Sequence, residues 1–166
     1  MDEFTKIVEE VSDDGYVDAD LKEYPLIDQG SYPATCIEVR KVDDPYKQAK
    51  PGSQVLKLLF ELDETYEDAQ GETKKFHLYS KPFRFFFGEK ASLYQLCLSL
   101  TGQLPVFSLV ATAEGPKRRF KYDQFLHMKC NIFVKHRAHE GRMYANIVDY
   151  ATNAEQRAHN CSLLPT

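Results

Sequence analysis

FHLYSKPFRFFFGEKASLYQLCLSLTG, residues 76–102, is the stretch on which the fold turns. Its first half, Phe76 to Phe87, packs five phenylalanines and a tyrosine around Lys81 and Arg84. Its second half has a different period. Leu93, Leu96, Cys97 and Leu100 recur at i, i+3, i+4 and i+7, which predicts an amphipathic helix from Glu89 to Leu100 with one apolar face. Thr101-Gly102 supplies the stop, because glycine takes the left-handed conformation at little cost. An aromatic, basic strand therefore feeds one helix.

On both sides of this stretch the period is two. Gly30 opens a first strand over Tyr32 to Val42, where Tyr32, Ala34 and Cys36 alternate before Ile37 and Val39 change phase. A phase change inside a strand marks a bulge. Gln54 to Asp63 is the cleanest strand, with Leu56, Leu58, Phe60 and Leu62 alternating against Lys57, Leu59 and Glu61. Thr73 to Ser80 is a third, placing Phe76 and Leu78 on one face and Lys75, His77 and Tyr79 on the other. Phe125 to Val134 and Arg142 to Tyr150 predict a final hairpin turning over His136 to Gly141. Between strands lie a loop at Asp43–Ser53, an acidic turn at Glu64–Glu72, and a long irregular connection from Gln103 to Asp123 that carries Pro105, Gly115 and Pro116. Short turns between neighbours imply antiparallel pairing. Five antiparallel strands with one helix between the third and fourth is the order of the OB-fold, a small Greek-key barrel. One helix lying on an open α+β sheet is the structural competitor.

Composition divides the chain. At 166 residues, 43% of them apolar, one domain with a core is expected. Residues 1–28 hold ten acidic side chains against Lys6 and Lys22, a net of −8, so the remainder of this −4 chain is +4. The division predicted is an acidic N-terminal arm (1–29), an OB-fold domain (30–150) and a polar C-terminal tail (151–166). Phe4, Ile7, Val8 and Val11 have the spacing of a short amphipathic turn within the arm. The arm is expected to recruit a partner, such as a replication protein, or to cover the basic body. Cys36, Cys97, Cys130 and Cys161 form no CxxC pair, which fits free thiols in a reducing cytoplasm. No apolar window reaches the length of a signal or a membrane span.

The frame Gly30-x-Tyr32-x-Ala34, the strand with Phe60, the helix ending Leu100-Thr101-Gly102, Phe125-Leu126 ahead of Cys130-x-Ile132-x-Val134, and Gly141-Arg142-x-Tyr144-Ala145-Asn146-Ile147 together resemble phage-type OB-fold proteins of replication and recombination. The resemblance spans residues 30–150 and implies single-stranded DNA binding in a bacterial or phage-infected cell. His127-Met128 stands where that pattern has a glycine. The arm also lies at the opposite end from the acidic tail of the usual bacterial single-strand binder. Small single-strand binders often act as homo-oligomers, dimers or tetramers that lengthen the groove, and the sequence leaves the oligomeric state open.

OB-folds bind on the face of the second and third strands, between the first loop and the last hairpin. Single strands need stacking rings and phosphate-neutralising cations. The candidate stackers are Tyr46, His77, Tyr79, Phe83, Phe85 and Tyr144. The candidate phosphate contacts are Lys47, Lys50, Lys57, Lys75, Lys81, Arg84, Lys135, Arg137 and Arg142. Phe76 and Phe86 are assigned to the core or to helix packing. Lys117-Arg118-Arg119 with Lys121 is the densest basic cluster, fit either for extending a nucleic-acid groove or for a solvated loop. His136-x-x-His139 near Cys130 lacks the further ligands that zinc requires, so no metal and no cofactor is expected. No phosphate-binding loop, GxSxG, HExxH or paired acidic cluster appears, and a non-catalytic role is expected. The 2′-hydroxyl is read by local geometry, so RNA remains open beside DNA. The rival function is an OB-fold adaptor that meets a protein partner. An enzyme using the barrel as a substrate platform is a third.

Overall fold

The structure, a computed structural model, describes residues 25–44 and 53–165. The expected turn over Phe4–Val11 and the candidates Tyr46, Lys47 and Lys50 lie outside the described residues. In chain order the elements are β1 (Gly30–Asp43), β2 (Gln54–Glu67), β3 (Thr73–Tyr79), β4 (Phe83–Arg84), α1 (Ser92–Thr101), β5 (Phe107–Thr112), β6 (Gly115–Phe120), a 3-10 turn (Tyr122–Phe125), β7 (Lys129–His139), β8 (Arg142–Ala151) and α2 (Ala154–Ser162).

The main sheet is antiparallel throughout, in the order β3-β2-β1-β7-β8, with β4 pairing β2 off that path. It curls into a half-barrel until its outer strands β3 and β8 approach each other. No ladder joins those two strands among the described residues. The curl follows from alternation. Leu56, Leu58, Phe60 and Leu62 of β2 all point inward, as do Ala34 and Cys36 of β1, Ile132 and Val134 of β7, and Ile147 of β8. Each buried leucine contributes about 1.5–3 kcal/mol. The expected phase change in β1 is a bulge: Cys36 pairs Phe60, Glu38 pairs Leu59, and Ile37 between them is turned to solvent.

α1 covers the open side of this core with Leu93, Leu96, Cys97 and Leu100, the face that its spacing predicted. Gly102 ends it at φ +71°, and its N–H donates to the Leu98 carbonyl at 2.8 Å. A side chain there would be strained in that left-handed geometry and would meet Arg157 Cδ at 3.3 Å.

Several segments differ from expectation; the acidic turn expected over Glu64–Glu72 shrinks to 68–72 because β2 runs on to Glu67. The connection Gln103–Asp123 is not irregular: β5 and β6 form a separate two-stranded ribbon. Pro116 argues against a strand, but it pairs Ala111 next to the turn in a ribbon with no third strand, where a missing N–H is tolerated. The tail past Ala151 folds as α2. Its N-terminus is a capping box, in which Asn153 Oδ1 accepts from Gln156 N at 2.7 Å and Asn153 N donates to Gln156 Oε1 at 2.9 Å. Asn160, wholly buried, then ties α2 to the first residue of β7 and the last turn of α1. Lastly, the turn expected over His136–Gly141 shrinks to Glu140-Gly141, both at positive φ, because the polar residues before it continue β7.

Candidate nucleic-acid interface

Register decides which polar side chains meet on the outer face. On β2 the partners of the buried residues, Lys57, Leu59 and Glu61, face out. On β3 the outward set is Lys75, His77 and Tyr79. Leu59 lies opposite Tyr79 and Glu61 opposite His77. Lys57 Nζ sits 4.9 Å from the centre of the Tyr79 ring, a cation–π contact, and that ring is 47% exposed.

Beside this pair runs a shallow groove of about 320 Å³. Lys57, Tyr79, Ser80, Lys81 and Pro82 form one wall, and Arg137 with Ala145, Asn146 and Ile147 forms the other. The groove thus occupies the seam between β3 and β8. Among the described residues, three cations line it and no carboxylate does. Its floor is tied down by Ser80, whose hydroxyl accepts from Leu58 N at 3.0 Å and donates to the Lys81 carbonyl at 2.9 Å. The Tyr150 ring packs 5.6 Å from Phe60 and 6.3 Å from Phe83. Burial pushes its phenol well above the ordinary tyrosine range, with the neighbouring thiols of Cys130 and Cys36 adding to the shift, so it stays neutral.

The other candidates divide by place. His77 Nε2 lies 3.2 Å from Glu61 Oε2 and Lys75 Nζ 3.7 Å from Glu61 Oε1, so one carboxylate balances both of them outside the groove. Phe83 is a correction. It pairs Leu56, shares that residue's inward face and is buried against Tyr150, so it cannot stack on a base. Phe85 is likewise half-buried, edge-on to Tyr122 at 6.4 Å. Arg84 faces Asp44 at 3.5 Å and helps hold the end of β1. Along the β7–β8 hairpin, Lys135 pairs Asn146, Arg137 pairs Tyr144 and His139 pairs Arg142, which places alternating cations and rings on one face of the arm. Tyr144 is 45% exposed, with its ring 6.5 Å from that of His139.

Two residues escaped the sequence. Arg40 lies directly across from Lys57 on the outer face. Like charges in that position repel, and Glu38, 3.5 Å from Arg40, offsets them in part. A bound anion would relieve the pair. The alternation of β1 past its bulge hints at Arg40, but the register that sets it opposite Lys57 is not written in either strand. Phe86, assigned to the core, is 60% exposed, whereas Phe76 packs 4.8 Å from Tyr66 as expected of a structural ring.

His136 and Cys130 part company. Cys130 is buried and His136 Nε2 bonds the Ile27 carbonyl at 2.7 Å. Among the described residues no group of three His, Cys, Asp or Glu side chains is placed to hold a metal ion, and no helix is long and apolar enough to cross a membrane. Against known proteins, the sequence matches no family model and no curated protein.

Proposed function

We propose that this chain is a non-catalytic OB-fold module that binds single-stranded DNA with little sequence preference, acting in replication or recombination in a bacterial or phage-infected cell. In this reading the OB-fold sheet is the curled half-barrel of β1, β2, β3, β7 and β8, and α1, which follows β3 and precedes β7 in the chain, is its helix. The strand order, with β1 central and β3 curling toward β8, supports that assignment, as does the resemblance of residues 30–150 to the phage-type proteins. The observation that carries the function is Lys57 poised over the half-exposed Tyr79 at the lip of a groove lined by Lys81 and Arg137. A base stacked on Tyr79 contributes about 1–3 kcal/mol, and the cations neutralise the flanking phosphates.

Lys57, Lys81 and Arg137 line the groove, and Arg40 lies across the strand pair from Lys57, which makes four cations for a bound strand. Neutralising about four phosphates of a single strand gives a log–log salt slope of about −2.8, so affinity falls about 50-fold between about 50 and about 200 mM salt. Anisotropy of labelled oligothymidine titrated with the full chain reads that slope. No binding at the lower salt would overturn the proposal. The adaptor reading draws support from Phe86, Leu104 and Leu109, which are all exposed. It predicts no oligonucleotide binding at any salt.

A further inference from the structure

We propose that the β5–β6 ribbon is a second nucleic-acid contact, one that grips double-stranded DNA adjoining the single strand, so that the protein sits at junctions. The inference rests on the single-strand function proposed above and names its substrate more closely.

The ribbon is built to project. A two-stranded hairpin alone is marginal in water, and this one is rooted by rings. Phe87 packs 4.9 Å from both Phe107 and Phe120, and Phe120 packs 6.1 Å from Phe125 in the core. Its turn is locked by Thr112 Oγ1, which accepts from Glu114 N at 3.2 Å and donates to the Gly115 carbonyl at 2.6 Å. Beyond that root none of its strand residues is buried. Leu109 is 79% exposed, more than any other large apolar side chain among the described residues.

Both faces of the ribbon are cationic. Arg118 lies directly opposite it, and Arg119 and Lys117 face Ser108 and Val110 on the other side of the ribbon. The Arg118 guanidinium is already oriented, 4.6 Å over the Phe107 ring, and Lys117 is steadied by Glu114 at 2.7 Å. Cations on both faces of the ribbon, against one carboxylate, match a groove with a row of phosphates along each wall. The major groove of a duplex is about 12 Å wide and admits a two-stranded ribbon. None of the ribbon lines the seam groove, so the two contacts are separate.

The test compares three labelled probes with the full chain: oligothymidine, the same strand joined to a short duplex, and the blunt duplex. If Arg118 and Arg119 each meet one duplex phosphate, the joined probe shows a salt slope steeper by about 1.8, equivalent to about 12-fold tighter binding at about 50 than at about 200 mM salt beyond what oligothymidine shows. The double variant Arg118→Ala/Arg119→Ala should erase that excess and leave oligothymidine binding within about 2-fold. Leu109→Ser should weaken the joined probe alone while leaving both arginines in place. Equal slopes for the joined probe and oligothymidine, or an excess that survives the double variant, overturn the inference while the single-strand function stands. Failure to bind any probe overturns both.

Discussion

Asn160 offers the most demanding test of how this fold is held. Its side chain is inaccessible to solvent and uses three of its hydrogen-bonding positions. Oδ1 accepts from Lys129 N at 2.7 Å, and Nδ2 donates to the Lys129 carbonyl and the Leu100 carbonyl, both at 2.8 Å. It serves the first residue of β7 as a neighbouring strand would, and it satisfies a carbonyl in the last turn of α1 that the helix itself leaves open. Replacing it with leucine keeps the bulk and removes all three bonds. At about 1 kcal/mol net for each bond the loss is about 3 kcal/mol, and more where water cannot reach the orphaned groups. For a chain of this size that lowers Tm by roughly 6–12 °C. Asn160→Asp separates bonding from packing. It has nearly the same shape, but it turns a carboxylate toward two carbonyl oxygens and lacks the donor they need. It should destabilise at least as much as the leucine variant. Thermal unfolding followed by circular dichroism near neutral pH measures both. A fall of under about 2 °C in either variant, or an aspartate variant as stable as the parent, would refute the hydrogen-bond account.

Three further outcomes follow from the geometry. Tyr79→Ala should weaken oligothymidine binding by roughly 5- to 150-fold, the equivalent of one lost stack, whereas Tyr79→Phe, which keeps the ring, should remain close to the parent in the same titration. Arg40→Gln should reduce the salt slope by about 0.7 and leave Tm unchanged or slightly higher, since it removes a like-charge pair. An unchanged slope would take Arg40 out of the interface. Burial pushes the thiols of Cys36, Cys97 and Cys130 from 9.0 up to about 12. The folded chain therefore keeps protons that the unfolded chain releases, so this stability is whole below pH 9 and is lost as pH rises through 12. Tyr150 acts in the same direction above its ordinary value of 10.0. Urea midpoints measured from pH 8 to pH 11 should fall steadily above pH 9, and a flat profile would contradict the burial of these groups.

Much of the half-barrel was legible because alternation is a local signal. Leu56 to Leu62 declared an inward face, the helix declared its seam at Leu93 to Leu100, and the phase break at Ile37 declared a bulge. Lys57 and Tyr79 emerged from the same logic, as the outward complements of buried neighbours. The phenylalanine run resisted it. Five phenylalanines in twelve residues fit almost any facing, and what turned Phe83 inward was a two-residue strand registering it against Leu56. α2 was hidden for the opposite reason. Apolar periodicity is what signals a helix, and the one fully buried residue of this helix is an asparagine. Its capping box, Asn153 to Gln156, was in plain view but had no apolar run behind it. The ribbon was masked by Pro105, Pro116 and four neighbouring cations, features that denote a loop unless distant rings such as Phe87 are known to anchor it.

The gap between β3 and β8 has a mechanical meaning. Because no backbone ladder spans it among the described residues, prising its two lips apart breaks no main-chain bond there. The stiff ladders lie elsewhere, between β1 and β2 and between β7 and β8. Opening the cleft therefore loads side-chain packing before any ladder, beginning with the Tyr150 ring against Phe60 and Phe83.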